Sequence, residues 1–259
     1  MDNDLPVRSV SRAIELLQYI NREDGPTLLQ LQHLSGLPYP TVGRLVKSLA
    51  LIGLVEATPS TKRYYPTGLV LTLSSGFQED DQLAESASPV LSELTRTLNW
   101  PTSLAIRVGG RMMIKQSTHR ETSLVLSHYN AGFTLPLTEC ASGLAYLAFC
   151  NEDERDTILA GLKDHHPASS TKGTALAKRI DSLEKIRDLG YATFDRTMLS
   201  REPGKTSSIA VPVLVNDVAV AAVALVFFAS AMKMSEAIEK YVTRLQEAAN
   251  EIGRLSQES

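Results

Sequence analysis

The stretch from residue 28 to residue 65 constrains the fold of this chain more than any other part. It begins with leucines at every third position, a spacing that places apolar side chains along one side of a helix. Ser35-Gly36 follows, and glycine readily takes the left-handed conformation in which many helices end. Pro38 and Pro40 suit a turn and the start of a second helix, where proline loses no hydrogen bond. These signals predict two short helices around a tight turn.

The second of these helices, from about residue 39, is predicted to be amphipathic. Its apolar positions are expected to face a core: Val42, Leu45, Val46, Leu49 and Ile52. Its other side carries hydroxyl groups and cations that can contact DNA: Tyr39, Thr41, Arg44, Lys47 and Ser48. A helix pair of this kind is typical of a helix-turn-helix. An ordinary helical hairpin in an unrelated domain is the alternative.

A β-hairpin is predicted immediately after the second helix. Gly53 ends the helix, and residues 54–57 and 63–65 have strand character. Lys62 and Arg63 lie near the tip, where the wing of a winged helix lies along a phosphate backbone. The segment 40–66 holds four Lys/Arg and one acid, although the net charge of the whole chain is −3. This local basic surface favours DNA binding over the helical hairpin.

The remaining composition indicates a two-domain globular protein. A length of 259 residues suits two domains, and 43% hydrophobic with 21% charged residues is ordinary for a globular chain. The longest apolar run, 218–229, is too short to span a bilayer, and the start MDNDLPVRS lacks the apolar core of a secretory signal. Cys140 and Cys150 are expected to be free thiols in a reducing cytoplasm.

The C-terminal part alternates helical and strand patterns. A hairpin of strands 102–108 and 111–117 is predicted around Gly109-Gly110. Further strands are predicted at 123–129, 191–196, 207–215 and 218–228. Helices are predicted at 83–98, 141–150, 152–161, 175–189 and 235–255. This mixed order predicts an α+β domain with helices around an antiparallel sheet.

The order and spacing of several segments resemble the IclR-type family of bacterial transcription regulators. In the N-terminal part these segments are RSVSRAIELLQYI, LQLQHLSGLPYPTVGRLVKSL and GLVE; in the C-terminal part they are LPLTECASGLAYLAF and TSSIAVPVL. The resemblance implies a winged helix-turn-helix domain over 1–68, a linker helix over 69–81 and a GAF-like effector-binding domain over 82–259. Pro40 and Gly43 depart from the family pattern and remove one hydroxyl and one larger side chain from the DNA-facing side.

The same resemblance implies the partners of the chain. These are double-stranded operator DNA, a small organic acid as effector, and further copies of the chain in a homodimer or a dimer of dimers, with no cofactor and no membrane. The resemblance places Arg8 near the DNA and the partner subunit. Within the family, the segments LNWPT, QSTHRETS, LSHYNAG and FFASAM look most like regulators of aromatic-acid catabolism of the hydroxyphenylpropionate type.

An effector site is predicted at the start of the helix 141–150. The residues concerned are Ala141, Ser142, Gly143 and Leu144. Small side chains let a ligand approach the backbone, and the unpaired N–H groups and positive dipole end of a helix start suit a carboxylate. From the residues alone, close packing of this helix against the sheet explains Ala141 and Gly143 equally well. The family resemblance favours the carboxylate site.

The resemblance also implies which residues form the opposite wall of this site. It places four residues around the effector, two of them small enough to leave room for a ring: Asp195, Ser208, Ala224 and Val226. Polar side chains that could recognise a ring hydroxyl or a carboxylate are His119, Arg120, His128 and Tyr129. Each of these residues, taken singly, is explained as well by an ordinary place in the core, at a strand end or on the surface.

Catalytic and metal-binding alternatives rest on few residues. Cys140 could pair with His119 or His128 as a nucleophile, or join Glu139 in a zinc site. No CxxC, HExxH, phosphate-binding loop or GxSxG motif accompanies them in the sequence. The chain is therefore predicted to be a regulator without metal, not an enzyme. A small-molecule-binding enzyme, or a metal-dependent sensor, fused to a helix-turn-helix is the alternative.

Overall fold

The computed structural model describes residues 7–75, 82–124, 129–165, 171–195 and 206–258. The chain folds into two compact units, Met1–Glu79 and Asp80–Ser259. No helix within the described ranges is long and apolar enough to cross a membrane.

The N-terminal unit consists of three helices and a two-stranded hairpin. The helices are α1 (Arg8–Arg22), α2 (Leu28–Ser35) and α3 (Tyr39–Leu51), and the strands are β1 (Val55–Ala57) and β2 (Tyr64–Pro66). The two strands pair antiparallel, with Glu56 opposite Tyr65. The predicted helix-turn-helix with a following hairpin is confirmed.

Local sequence signals determine both ends of α2. Thr27 and Gln30 cap its start reciprocally, because the Thr27 hydroxyl accepts from the Gln30 N–H at 3.3 Å and the Gln30 side chain accepts from the Thr27 N–H at 2.8 Å. Gly36 ends the helix with a φ of 67°, the left-handed conformation that glycine tolerates best. Pro40 then lies in the first turn of α3, where its missing N–H has no consequence.

The three helices share one apolar core. The side chains that are completely buried there are Leu16, Ile20, Leu31, Val42 and Val46. Ile52, predicted to face this core, is 61% exposed, so that prediction is wrong. The helix ends at Leu51 and Gly53 turns the chain with a φ of 81°, so Ile52 no longer follows the helical stripe.

A 3-10 helix at Gly68–Leu73 follows the hairpin. The Thr67 hydroxyl caps its start by accepting from the Leu69 N–H at 3.2 Å, and it donates to the Gly53 carbonyl. In place of the linker helix predicted over 69–81, the described part of that segment is this tighter helix, and residues 76–81 lie outside the described ranges. The boundary between the two compact units falls within the same segment.

The C-terminal unit is an antiparallel sheet with helices on both faces, which confirms the predicted α+β class. Its strands are β3 (Thr102–Val108), β4 (Arg111–Ser117), β5 (Thr134–Pro136), β6 (Ala192–Asp195), β7 (Thr206–Val215) and β8 (Val218–Phe228). They run in the order β5-β4-β3-β8-β7-β6. Its helices are α4 (Gln82–Leu98), α5 (Ala141–Phe149), α6 (Glu152–His165), α7 (Thr171–Asp181), α8 (Leu183–Leu189) and α9 (Met234–Glu258).

Two details of this unit differ from the sequence prediction. The described residues of the strand predicted at 123–129, which are 123, 124 and 129, do not form a strand. One edge of the sheet is formed instead by β5, where Leu135 pairs with Met112. The chain passes along this edge before it enters α5. The helix predicted at 175–189 is divided into α7 and α8 at Ser182, whose hydroxyl donates to the Arg179 carbonyl at 2.7 Å.

Side-chain size distinguishes the two faces of the sheet. One face carries large apolar residues that pack against α4 and α9: Leu104, Ile209, Val211, Val223, Leu225 and Phe227. The face beneath α5 carries alanines: Ala105, Ala210, Ala222 and Ala224. Because side chains alternate between faces along a strand, each central strand supplies both the large and the small surface.

The helix α5 packs closely against the short 3-10 turn Leu137–Glu139 that precedes it. A Cβ atom added to Gly143 would overlap the carbonyl oxygen of Leu137. Gly143 therefore permits a close approach of two backbone segments. The alternative to ligand contact that the sequence left open was packing against the sheet, whereas the close contact of Gly143 is with the turn before the helix.

Replacing Gly143 with alanine is expected to destabilise the C-terminal unit by about 2 kcal/mol, because the methyl group overlaps backbone atoms that cannot rotate away. Gly161→Ala is the matched control: Gly161 also lies inside a helix, but a Cβ there meets no atom within 4 Å, and we expect a gain of about 0.5–1 kcal/mol. Urea unfolding followed by the fluorescence of Trp100, the single tryptophan, measures both changes. An unchanged midpoint for Gly143→Ala would contradict the close approach.

Candidate functional site

The outward side of α3 carries the polar residues predicted from the sequence. Arg44, Lys47 and Ser48 are exposed, Tyr39 is about half exposed and Thr41 is half-buried. They lie away from the buried side of the helix, which faces the core of the unit. The Ser48 hydroxyl donates to the Arg44 carbonyl at 3.0 Å, whereas a Cβ at Gly43 would meet open space. The helix thus presents one polar, cationic surface with a shallow gap at Gly43.

The two cations of the hairpin have different surroundings. Lys62 is exposed in the turn, with a φ of 51°. Arg63 is half-buried, and its guanidinium donates to the carbonyls of Asp24 at 3.3 Å and Gly25 at 2.7 Å. These bonds attach the hairpin to the loop between α1 and α2. Lys62 therefore projects into solvent, whereas Arg63 connects two parts of the fold.

Arg8 is the first residue of α1 and is exposed. Val10, in the same first turn of the helix, is also exposed, at 60%. The start of α1 thus offers both a cation and apolar surface to solvent.

A cavity lies between α5 and the small-residue face of the sheet in the C-terminal unit. Its volume, including its open mouth, is about 510 Å³. Six of the predicted effector residues line it: Tyr129, Ala141, Ser142, Ser208, Ala224 and Val226. The other lining residues are Ser103, Ala105, Ile114, Leu135, Glu139, Cys140, Phe194 and Thr206.

Strand register brings the sheet side of this cavity together. Phe194 lies opposite Ser208, which in turn lies opposite Val226. On the neighbouring strand, Ser103 lies opposite Ala224. Directly paired residues on one face have Cβ atoms about 5 Å apart, so these five side chains form one continuous wall.

The remaining predicted effector residues that the structure describes do not line the cavity. Gly143 is packed against Leu137, as described above, and Leu144 is 5% exposed within the apolar cluster beneath α5. Asp195 is an exposed strand end whose carboxylate accepts from the Ser207 hydroxyl at 2.5 Å. Arg120 is exposed, and His128 lies outside the described residues.

His119 lies behind the cavity wall. It is 6% exposed, and its Nδ1 is 2.6 Å from the Ser117 hydroxyl. Its ring lies 5.2 Å from that of Tyr129, which lines the cavity and packs edge-on against Phe133 at 4.9 Å. His119 therefore holds Tyr129 in place and does not reach the cavity itself.

The polar groups of the cavity are mostly neutral. Hydroxyl groups come from five of its lining residues: Ser103, Tyr129, Ser142, Thr206 and Ser208. No Lys or Arg occurs among the described lining residues, and the one charged side chain is the exposed carboxylate of Glu139. The start of α5 adds backbone N–H groups that have no partner within the helix, and the positive end of its dipole. An anion in this cavity would therefore be bound by dipoles and hydroxyls.

The cavity thiol is held in its protonated form. Burial raises the pKa of Cys140, and its sulfur lies 3.4 Å from both the Pro136 carbonyl and the Ser142 hydroxyl. A buried, protonated thiol is a poor nucleophile. Among the residues that the structure describes, no three His, Cys, Asp or Glu side chains are grouped to hold a metal ion.

Sequence reasoning missed several wall residues, of which Thr206 is the most informative. It is two positions before Ser208 on β7, so alternation along the strand places both on the same face. That periodicity could have identified Thr206 once Ser208 had been assigned to the site. Ser103 and Phe194 could not have been found in this way, because they come from strands that are distant in the sequence.

Two family models match this chain. The IclR helix-turn-helix domain matches residues 9–59, and the bacterial transcriptional regulator IclR C-terminal domain matches residues 78–254.

Two related proteins match shorter parts of this chain than the two family models cover together. The HTH-type transcriptional regulator TsaQ1/TsaQ2 of Comamonas testosteroni is 26% identical over 159 residues, which are 61% of this chain and 57% of that protein. The HTH-type transcriptional regulator XynR of Escherichia coli is 26% identical over 190 residues, which are 72% of this chain and 73% of that protein. The match thus spans little more than half the length of the first relative.

A solved structure has the same fold over nearly the whole length. It is that of an IclR homolog from Microbacterium hydrocarbonoxydans complexed with 4-hydroxybenzoate. The match covers 97% of this chain and 100% of that one, with a TM-score of 0.61 and 22% identity.

Removing the two hairpin cations is expected to have different effects on folding. Arg63→Ala removes two bonds from a charged donor, so we expect the hairpin to lose about 1–2 kcal/mol of local stability. Lys62→Ala should change it by less than about 0.5 kcal/mol, because Lys62 is exposed. Amide hydrogen exchange in β1 and β2 of the full chain measures both: about tenfold faster exchange in the Arg63 variant alone is the expected result. Equal rates in the two variants would show that the Arg63 bonds do not hold the hairpin.

Proposed function

The chain belongs to the IclR family of bacterial transcriptional regulators, and we propose that it is a cytoplasmic, ligand-responsive regulator that binds operator DNA and a small aromatic carboxylic acid. The observation that carries this proposal is the cavity at the start of α5, where residues from all six described strands of the sheet and a helix N-terminus meet. The same chain carries a winged helix-turn-helix with an outward cationic surface. A binding cavity and a DNA-reading surface in one chain are what a ligand-responsive regulator requires.

In the proposed complex, α3 enters the major groove of the operator. A helix in that position reads base edges with side chains such as Arg44, and contacts phosphates with hydroxyls and cations such as Lys47 and Thr41. Lys62, at the tip of the hairpin, would contact the adjacent phosphate backbone. Arg8, exposed at the start of α1, adds a further phosphate contact.

We propose that the regulator acts as a homodimer. The N-terminal unit exposes apolar side chains in two places: Val7, Val10 and Ile14 at and after the start of α1, and Leu69, Leu71 and Leu73 on the 3-10 helix. Exposed apolar surface of this kind can mark an association surface, and a second copy of the chain would cover it. Two α3 helices related by a two-fold axis would read the two halves of a near-palindrome.

The effector is proposed to bind with its carboxylate at the start of α5. Its ring would lie against the wall formed by Ala224 and Val226, where small side chains leave volume. The 4-hydroxybenzoate complex of the structurally similar IclR homolog supports an aromatic acid as the ligand class. Because recognition uses neutral donors, the ring contacts would contribute most of the affinity.

Regulation requires that the two sites influence each other. An effector changes operator affinity only if it binds the DNA-competent and DNA-incompetent states of the dimer with different affinities. Titrating operator DNA with and without 4-hydroxybenzoate and related acids tests this requirement. Acids that bind without any change in operator affinity would separate effector binding from regulation.

The test duplex is one that the wild-type protein selects from a random library. Replacing Arg44 with alanine is expected to weaken the binding free energy for this duplex by about 1–3 kcal/mol, and to weaken binding to a scrambled duplex by less. Arg244→Ala in α9 removes the same charge from the other unit and should leave affinity unchanged. Fluorescence anisotropy at fixed salt measures all three proteins. Wild-type affinity in the Arg44 variant would remove this residue from the interface, and failure of the wild type to select any sequence would contradict operator binding.

Replacing Glu139 with glutamine is expected to raise the affinity for aromatic carboxylates about two- to fivefold at low salt. The Glu139 carboxylate lies at the cavity, is exposed and has the same charge as the ligand. The gain should shrink as salt is added, because exposed charges are screened. Calorimetry with benzoate measures it, and benzamide, which has no charge, is the control ligand. An equal gain for benzamide would indicate a change in cavity shape, not a charge effect.

A further inference from the structure

One polar atom of the cavity wall has no partner. Thr206 is 4% exposed, and its hydroxyl oxygen is the one buried side-chain nitrogen or oxygen among the described residues that forms no hydrogen bond. It lines the cavity together with Ser208, on the same face of β7. Buried hydroxyls are normally satisfied, because leaving one without a partner is unfavourable.

Other buried threonines of the same unit show what a structural role requires. Thr102, the first residue of β3, is completely buried. Its hydroxyl lies 2.8 Å from that of Thr95 and donates to the Leu91 carbonyl at 3.2 Å. Thr118 completes this group, with its hydroxyl 2.7 Å from that of Thr95. Thr102 and Thr206 are each the first residue of a strand, but only the hydroxyl of Thr102, which lies away from the cavity, forms hydrogen bonds.

Thr206 and the start of α5 belong to different walls of the cavity, because Thr206 lies on β7 whereas Ala141 and Ser142 lie on the helix. Ala210, four residues further along β7, belongs to the apolar cluster that packs beneath α5. Four residues of a strand span about 13 Å, and Ser208 lies halfway. The strand thus passes from an apolar contact with the helix at Ala210 to hydroxyl groups in the cavity wall at Ser208 and Thr206.

We propose that Thr206 determines which aromatic acid this protein recognises, by hydrogen-bonding a second polar group of the effector through its buried hydroxyl. This inference rests on the proposed function, since it assumes that an aromatic carboxylate occupies the cavity. The carboxylate would bind at the start of α5, and the hydroxyl of the ring would bind at Thr206. The effector class is then a hydroxylated aromatic acid, and an acid without the ring hydroxyl would leave Thr206 unpaired.

The test uses two variants of the full chain and a matched control. Thr206→Val keeps the side-chain shape and removes the hydroxyl, and Thr206→Ser keeps the hydroxyl. Thr102→Val removes a bonded hydroxyl from an equally buried threonine. Calorimetry measures the affinity for benzoate, 4-hydroxybenzoate, 3-phenylpropionate and its ring-hydroxylated analogues.

The wild type is expected to bind a hydroxylated acid more tightly than its unsubstituted parent. Thr206→Val should reduce the affinity for the hydroxylated acid about tenfold, which corresponds to the loss of one hydrogen bond. It should reduce the affinity for the unsubstituted parent acid by less than about twofold. Thr206→Ser should retain most of the preference. A preference that survives in Thr206→Val overturns this inference and leaves the proposed function intact, whereas a wild type that binds none of these acids overturns both.

Thermal unfolding without ligand supplies a second readout. Thr206→Val should leave the Tm unchanged or raise it by ~2 °C, because it removes an unsatisfied buried hydroxyl. Thr102→Val should lower the Tm by several degrees, because it removes hydroxyl bonds and leaves their partners unsatisfied. An equal loss in both variants would mean that the Thr206 hydroxyl has a structural partner, and would overturn the proposal.

Discussion

The close approach of α5 to the sheet and to the turn before it is the constraint on which the C-terminal unit depends. It requires alanines beneath the helix and a glycine against the Leu137 carbonyl, where a Cβ has no room. Such a surface contributes little apolar area per residue. The opposite face of the same strands compensates, because Ile209, Leu225 and Phe227 are buried there beneath α4 and α9. One face of the sheet thus carries the larger side chains, and the other has space for a cavity beside the helix start.

Patterns that act over a few residues could be predicted from the sequence. The polar side of α3, the hairpin, the C-terminal end of α2 at Gly36 and the strands of β7 and β8 follow from periodicity and from turn residues. The placement of Ser208, Ala224 and Val226 at the cavity came from family resemblance combined with strand alternation. For the features predicted from periodicity and turn residues, the sequence pattern and the structure that it predicts occupy the same few residues.

Features that depend on contacts between distant segments could not be predicted. Arg63 reads as a phosphate contact because it is a cation near a hairpin tip, yet its guanidinium bonds carbonyls 38 and 39 residues away. The contact of Gly143 is closer in the sequence but also joins two elements: small residues suit a ligand contact, yet a Cβ there would meet Leu137 in the turn before α5. The edge strand β5 was missed because its pairing with β4, as of Leu135 with Met112, joins separate parts of the sequence.

Buried hydroxyl groups in a folded protein normally form hydrogen bonds, and a binding site is where an exception is expected. The interior of the C-terminal unit satisfies its buried threonines through mutual bonds, as Thr95, Thr102 and Thr118 show. Among the described residues, Thr206 departs from that rule at a cavity wall, where a ligand can supply the partner. Its unpaired hydroxyl is therefore an unfavourable term that a suitable ligand removes on binding. An acid with the right second polar group gains this term in addition to its carboxylate and ring contacts, and an acid without it does not. Selectivity then arises from an unpaired hydroxyl of the cavity wall, without any added attractive charge in a wall whose described residues include no cation.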